Sequence, residues 1–227
     1  MVKQDLIERS AVRIFEKELR GGVKPGEIGV IISRKGLGKT SILVQIGIDK
    51  LLQGTGVVHV SFNQQADHII TWYENIFDEL AKKKNLDKAG EVKNELVSKR
   101  ILLNFNQDTV RTSQVIKTIK ALMDSGIKLE SVIIDGFDFS KAVPDAMQKM
   151  KEFAKEANLT VWYSANTEKT EKGVPDAIKA YENDIDVILY LEPLPDSITL
   201  RVIKEHDKTD YTTDLKLDVK SLLLAEK

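Results

Sequence analysis

Residues 33–40 read Ser33-Arg34-Lys35-Gly36-Leu37-Gly38-Lys39-Thr40, and Ser41 follows. These residue types, in this order, can grip a phosphate. Glycines let backbone N–H groups approach an anion with no Cβ in the way. Lys39 supplies a point charge, and the Thr40 hydroxyl is a hard oxygen ligand for Mg2+. The general pattern is G-x-x-x-x-G-K-[ST], a loop that leaves a strand and opens a helix whose positive N-terminus faces the same anion. Gly38, Lys39 and Thr40 match it. Ser33 stands where the pattern has its first glycine, and Gly36 is an extra glycine inside the loop. The competing reading is a glycine-rich turn that caps an ordinary helix and leaves Lys39 in solvent.

The flanking elements favour the phosphate loop. "EIGVIIS" (27–33) is apolar and β-branched and predicts a buried strand. From Lys39 to Leu52 the spacing predicts a helix with Ile42, Leu43, Ile46 and Leu51 near one face. Phosphate chemistry with Mg2+ also needs an acid at the end of a second strand. "SVIIDGFDF" (131–139) supplies one: Val132, Ile133 and Ile134 bury the strand, and Asp135 emerges at its carboxyl end. Asp138 is the second choice. Alone, a strand-terminal Asp also fits a simple turn cap.

The rest of the chain alternates strand and helix signals. Strands are predicted at 56–62, 100–105, 160–166 and 186–192, and helical stripes at 66–100, 112–125 and after Pro144. Pro144 suits a first helical turn. "SITLRVIKE" (197–205) and "TTDLKLDVK" (212–220) alternate like exposed antiparallel strands. Repeated βα units followed by a β-rich tail predict an α/β domain, its mostly parallel sheet covered by helices and extended by antiparallel strands. We read residues 1–227 as one domain, with a helical lead-in over 1–22 and a helical insertion over 75–100.

Composition narrows the function classes. Lys plus Arg total 34 and Asp plus Glu total 35, a net charge of -1, which does not indicate constitutive nucleic-acid binding. With no cysteine, disulfides, thiolate metal sites and cysteine nucleophiles are excluded. The N-terminal stretch lacks a signal-peptide core, and no segment is long and apolar enough to span a membrane, so a soluble cytoplasmic protein is expected.

The segment "LRGGVKPGEIGVIISRKGLGKTSILVQIGIDKLLQGTGVVHVSF" (19–62) resembles the opening of the RecA-like P-loop ATPases, especially the KaiC, RadA and DnaB branch. A double glycine precedes the loop strand, and the next strand ends in "VSF". The likeness continues through "SVIIDG", "FAKEANLTVWYSAN" and "DVILYLE…LRVIKE", and is weakest over 75–100. It implies a RecA-type fold, ATP with Mg2+ as ligand, and assembly into a ring or filament with sites at subunit interfaces. By position it assigns Lys39 and Thr40 to the phosphates and the magnesium ion, and Asp135 to the acidic strand end. Asn166, or Ser164, falls where a polar residue senses the terminal phosphate.

The resemblance breaks at two places. Relatives carry one or two glutamates after "SF", which polarise the attacking water; here stand Asn63, Gln64 and Gln65. An amide can orient a water but cannot take its proton as a carboxylate does. The nearest acid in sequence is Asp67. Where relatives place a K-x-R motif that reaches a neighbour's site, this chain has Lys204, Glu205 and His206. Lys204 retains charge; His206 stands in place of the arginine. The binding elements are kept while two rate-raising elements are altered.

Three readings follow: an ATP-binding regulatory module with weakened or absent hydrolysis, an active oligomeric ATPase, and a DNA recombination or repair accessory. Lys169 and Lys172, in the loop after the fifth strand, are offset by Glu168 and Glu171, so a solvated loop is the simpler reading there. His59 reads as a packed strand residue, His68 as a lone histidine near the phosphate region, and Trp72 and Tyr73 as core or interface rather than a base-stacking platform.

Overall fold

The computed structural model describes residues 2–8, 10–62, 65–83, 89–167 and 173–226. Helices α1 (Val2–Glu8) and α2 (Ala11–Glu18) lead into β1 (Ile28–Ser33), α3 (Lys39–Leu52) and β2 (Val57–Ser61). Then come α4 (Ala66–Lys83), α5 (Gly90–Lys99), β3 (Arg100–Asn104), α6 (Thr112–Asp124) and β4 (Ser131–Asp135). A short 3-10 turn precedes α7 (Ala146–Glu156), β5 (Thr160–Asn166) and α8 (Asp176–Lys179). The chain closes with β6 (Val187–Pro193), β7 (Ile198–Glu205), β8 (Lys208–Leu217) and β9 (Leu224–Glu226).

Among the described residues, nine strands form one sheet in the order β3-β2-β4-β5-β1-β6-β7-β8-β9. β1 to β6 run parallel; β7, β8 and β9 add antiparallel, as the alternation near the C-terminus predicts. Each strand of the parallel half is almost wholly buried except β3 at the edge, because helices cover both faces. One core packs side chains of α1 to α5 on one face, and the other packs α6, α7 and α8 on the opposite face. Register aligns the carboxyl ends of the central strands: Ser33 pairs with Asn166, and Ser61 with Asp135. The candidate residues therefore emerge at one edge of the sheet, where ligands sit in open α/β folds.

Several details differ from the sequence reading. α3 is not amphipathic. It is buried nearly all round, from Ser41 through Asp49, because α2, α4 and the C-terminal segment all close over it. Arg13 pairs with the buried Asp49, and Lys50 Nζ lies 2.9 Å from Glu16 Oε1, which ties α2 to α3. β7 is not exposed; it is buried at six of its eight residues, lying between β6 and β8. β8 begins at Lys208 and stops at Leu217, so residues 218–220 form a turn before β9 rather than strand. Pro144 sits in the turn ahead of α7, outside its first turn. The helical stretch predicted over 66–100 divides into α4 and α5, and residues 84–88 between them lie outside the described residues.

Candidate nucleotide site

Ser33 closes β1 fully buried. Its φ is not among the positive ones; within the loop only Gly36 (φ +86) and Gly38 (φ +89) are left-handed. Glycine is therefore required at those two positions and not at 33, which explains the serine physically. The Ser33 hydroxyl is also used, donating to Arg34 O at 2.9 Å and accepting from Lys39 Nζ at 3.1 Å.

Lys39 Nζ further donates to Ser33 O at 3.0 Å and Arg34 O at 2.9 Å, and only 8% of the residue is exposed. Its ammonium thus sits inside the curve of the loop, the reverse of the solvated lysine in the competing reading. Burial pushes its pKa down from 10.5 to about 8, with Asp135 acting the other way. Anionic phosphates favour the charged form, so the sign of the pH effect is fixed. Affinity for a phosphate ligand should be level below about pH 8 and fall about tenfold per pH unit above it. Isothermal titrations between pH 6.5 and 9.5 (about three units around that value) check this; an affinity flat to the top of the range would contradict it.

Asp135 is 4% exposed. It accepts from Thr40 Oγ1 at 2.8 Å through Oδ2, and from the Ser164 hydroxyl through Oδ1. Ser164 Oγ in turn accepts from Gly136 N at 2.8 Å. The register of β4 and β5 sets Asp135 beside Ser164, 29 residues later, and the first turn of α3 brings Thr40 to it across 95 residues. The Thr40 and Asp135 oxygens fit Mg2+: both are hard donors. Neighbouring ligands around an octahedral ion of 2.0–2.1 Å bond length lie about 2.9 Å apart, close to the Thr40–Asp135 separation of 2.8 Å.

A cleft of about 850 Å³ opens over this point. Its floor is Lys35, Gly36, Gly38, Lys39, Thr40 and Asp135, with Gly136, Ser164 and Asn166 beside them. One wall is the α4 stripe His68, Thr71, Trp72 and Asn75, and Leu222 contributes from the C-terminal turn. The stripe at 68, 71, 72 and 75 has helical spacing beside the buried stripe Ile69, Tyr73 and Ile76, and that spacing was the available sequence signal for it. Leu222 had no local signal.

Other predicted residues lie elsewhere. Ser41 is fully buried, and its hydroxyl donates to Leu222 O at 2.5 Å rather than lining the cleft. Leu37 packs against the core, and Arg34 is exposed at the loop tip. Asn63, Gln64, Lys169 and Lys172 lie outside the described residues. Lys204 Nζ donates to Glu182 O at 2.5 Å and Ile185 O at 2.7 Å, at the end of the sheet opposite the loop. His206 Nε2 lies 2.9 Å from Glu27 Oε1 at that same end. Glu27 and His206 come together there with Asp186, a potential metal-ligating group, but Asp186 is taken by Lys151 and by Ile28 N at 2.7 Å. That cluster is an ion-pair network. His59, 1% exposed, has its pKa pushed down to about 4 by burial, with Nδ1 3.2 Å from the Tyr73 hydroxyl; it is a packed strand residue.

The sheet order, the loop geometry and the acid at the end of the strand next but one to the loop strand together define a RecA-like P-loop ATPase fold. The chain is similar to a solved structure described as an ATPase domain, with TM-score 0.72 and 14% identity over 96% of this chain and 90% of that one. It is also similar to the DNA repair protein RadA of Streptococcus pyogenes serotype M6, 26% identical over 180 residues, which is 78% of this chain and 36% of that protein. RadA of Streptococcus pneumoniae strain R6 is 24% identical over 180 residues, 78% of this chain and 38% of that protein. The chain thus spans little more than a third of the length of these curated relatives. No protein-family model matches the sequence. Among the described residues no helix is long and apolar enough to cross a membrane.

Proposed function

We propose that this chain binds Mg·ATP in the cleft over Lys39, Thr40 and Asp135, that it turns the nucleotide over slowly or not at all, and that it serves a regulatory role. The observation that carries the binding is the buried Lys39 ammonium enclosed by the loop, next to the Thr40–Asp135 oxygen pair. Lys35 through Thr40 would hold the phosphates. Thr40 and Asp135 would hold the metal ion, which when bound supplies charge neutralisation to the terminal phosphates. Asn166 would face the terminal phosphate.

Weakened hydrolysis is supported by what the cleft lacks. Among the described residues lining it, Asp135 is the single carboxylate, and both of its oxygens are engaged. Asp67 does not line it. Asn63 and Gln64 stand where relatives of this fold carry glutamate. Lys204 Nζ is hydrogen-bonded to carbonyls of its own chain, and His206 lies against Glu27.

The likeness to RadA favours a second reading, an oligomeric ATPase acting with DNA, in which an adjoining copy completes the site. The two readings differ in turnover and salt-sensitive DNA binding, and they share the binding step. That step is tested by equilibrium binding of Mg·ATP to the wild type and to Asp135→Asn, with and without excess EDTA. We expect EDTA to weaken wild-type binding tenfold or more and to leave the variant nearly unchanged, since the variant has already lost the acidic oxygen. Equal EDTA sensitivity in both proteins would contradict the assignment of Asp135.

A further inference from the structure

Gln45 is 3% exposed in the middle of α3, among Ile42, Val44, Ile46 and Ile48, and it does not line the cleft. A primary amide so placed is costly unless its donors and acceptor are met. The C-terminal turn meets them. Gln45 Nε2 donates to Leu222 O at 3.0 Å, and its Oε1 accepts from Leu224 N at 2.9 Å. Nε2 also lies 3.2 Å from both Ser41 O and Ser41 Oγ. Ser41 Oγ donates to the same Leu222 carbonyl at 2.5 Å.

Gly38, Ser41 and Gln45 recur at i, i+3 and i+7, on one side of the helix. The turn they face is anchored on either side of Leu222. Leu223 and Leu224 are buried, and Leu217 pairs with Leu224 across β8 and β9. Leu222 itself holds φ +56, a left-handed conformation that a non-glycine residue keeps only where its surroundings impose it. The result brings Leu217 and Leu222 against the phosphate loop. A Cβ on Gly38 would stand 2.3 Å from Leu217 Cδ2 and 4.0 Å from Leu222 Cδ2. Gly38 is the N-cap of α3, and its carbonyl accepts from Ile42 N at 3.1 Å. The residue that turns the loop into its helix is thus backed by a segment that Gln45 and Ser41 hold down.

We propose that Gln45 is a positioning residue for the phosphate loop: through the C-terminal turn it holds Leu217 and Leu222 against Gly38, so that phosphate binding and docking of residues 217–224 favour one another. This rests on the reading of the cleft as a nucleotide site. With the turn undocked, Gly38 is free to sample the other conformations open to glycine, and the ligand must reorder the loop at a cost in affinity. Linkage makes the coupling reciprocal: the factor that docking adds to phosphate affinity, phosphate adds to docking.

The experiment uses the full chain and Mg·tripolyphosphate, which carries the phosphates and no base. Calorimetry reads affinity, and hydrogen exchange at the Leu222 and Leu224 amides reads docking. In the wild type, saturating ligand should slow exchange at these two amides at least about fivefold. Gln45→Met keeps the length of the side chain and loses the bonds at both ends of the amide. It should bind Mg·tripolyphosphate about five- to tenfold more weakly. The ligand should no longer slow exchange at 222 and 224 in this variant, while still slowing it in α6. Ile119→Val removes a methylene from the core on the opposite face of the sheet and lowers stability away from the loop. It should bind the ligand as the wild type does.

Wild-type exchange at 222 and 224 that ignores the ligand would overturn the proposal, and that measurement needs no variant to fold. So would unchanged affinity in Gln45→Met, or slowing at 222 and 224 that persists in it. An equal loss of affinity in Ile119→Val would reduce Gln45 to a packing residue and also overturn the proposal. In each of these cases the phosphate site would stand. If the wild type bound neither Mg·tripolyphosphate nor Mg·ATP, the nucleotide reading itself would fail and the proposal with it.

Discussion

Lys39→Met should lose nucleotide binding at least a hundredfold while folding about as stably as the wild type. The binding loss follows from the position of Nζ, enclosed by Ser33 O, Ser33 Oγ and Arg34 O at 2.9 to 3.1 Å. A charge-assisted hydrogen bond contributes about 1.5–3 kcal/mol, and this ammonium would make more than one to a polyphosphate. The stability half is less intuitive. An ammonium whose pKa falls from 10.5 to about 8 on folding is carried at a cost of about 3 kcal/mol below pH 8. That cost shrinks as pH rises from 8 towards 10.5 and vanishes above it. Methionine has similar length and no charge, so the substitution removes this cost. It also removes three hydrogen bonds, about 1 kcal/mol each on the scale of a neutral amine, the charge being already counted in that cost. The two effects nearly cancel. Urea unfolding at pH 7 and at pH 9 measures the balance: relative to the wild type, the variant should stand about 1 kcal/mol better at pH 7 than at pH 9. Nucleotide affinity retained in the variant would remove the phosphate-loop assignment.

Gly38→Ala is the second large effect. The residue has φ +89, and a Cβ there would stand 2.3 Å from Leu217 Cδ2. Left-handed strain costs about 1–2 kcal/mol, and forcing a methyl into a packed site adds about 1–3 kcal/mol. We expect a loss of about 3 kcal/mol in unfolding free energy and a matching collapse of nucleotide affinity, because the buried Leu217 side chain and the loop must shift apart. Gly36→Ala is the internal control. It has φ +86 with nothing within 4 Å of its Cβ, so it should show the backbone strain alone. Comparable losses in the two variants would mean that the contact with Leu217 does not constrain the loop.

These two residues also show what could be read from the sequence. The loop was legible because its requirements are local: glycines that can reach positive φ, a lysine and threonine at the start of a helix, and an apolar strand in front. Asp135 was legible for the same reason, as the polar end of a buried strand. Serine at position 33 looked like a defect and proves compatible, since β1 has not yet turned into left-handed backbone there. The contact of Leu217 with Gly38 and the bonds from Ser41 and Gln45 to Leu222 O were not legible. They join positions 177 or more residues apart, through an antiparallel edge whose register no local pattern fixes. For the same reason α3 read as amphipathic, while the structure closes the C-terminal turn over its outer side. The helical phase puts Tyr73 in the core, and Trp72 packs partly against that core while also lining the cleft.

The central claim is a nucleotide site that holds its ligand without consuming it. Its most direct test is a single-turnover assay, with the full chain in excess over Mg·ATP labelled on the γ-phosphate and bound ATP and released phosphate scored together. The assay is run at low and at high protein concentration. The account predicts ATP that is bound and intact at both concentrations. Phosphate released at the pace of an ordinary ATPase, above all only at high concentration, would contradict it and would mean that a neighbouring copy supplies the groups this cleft lacks.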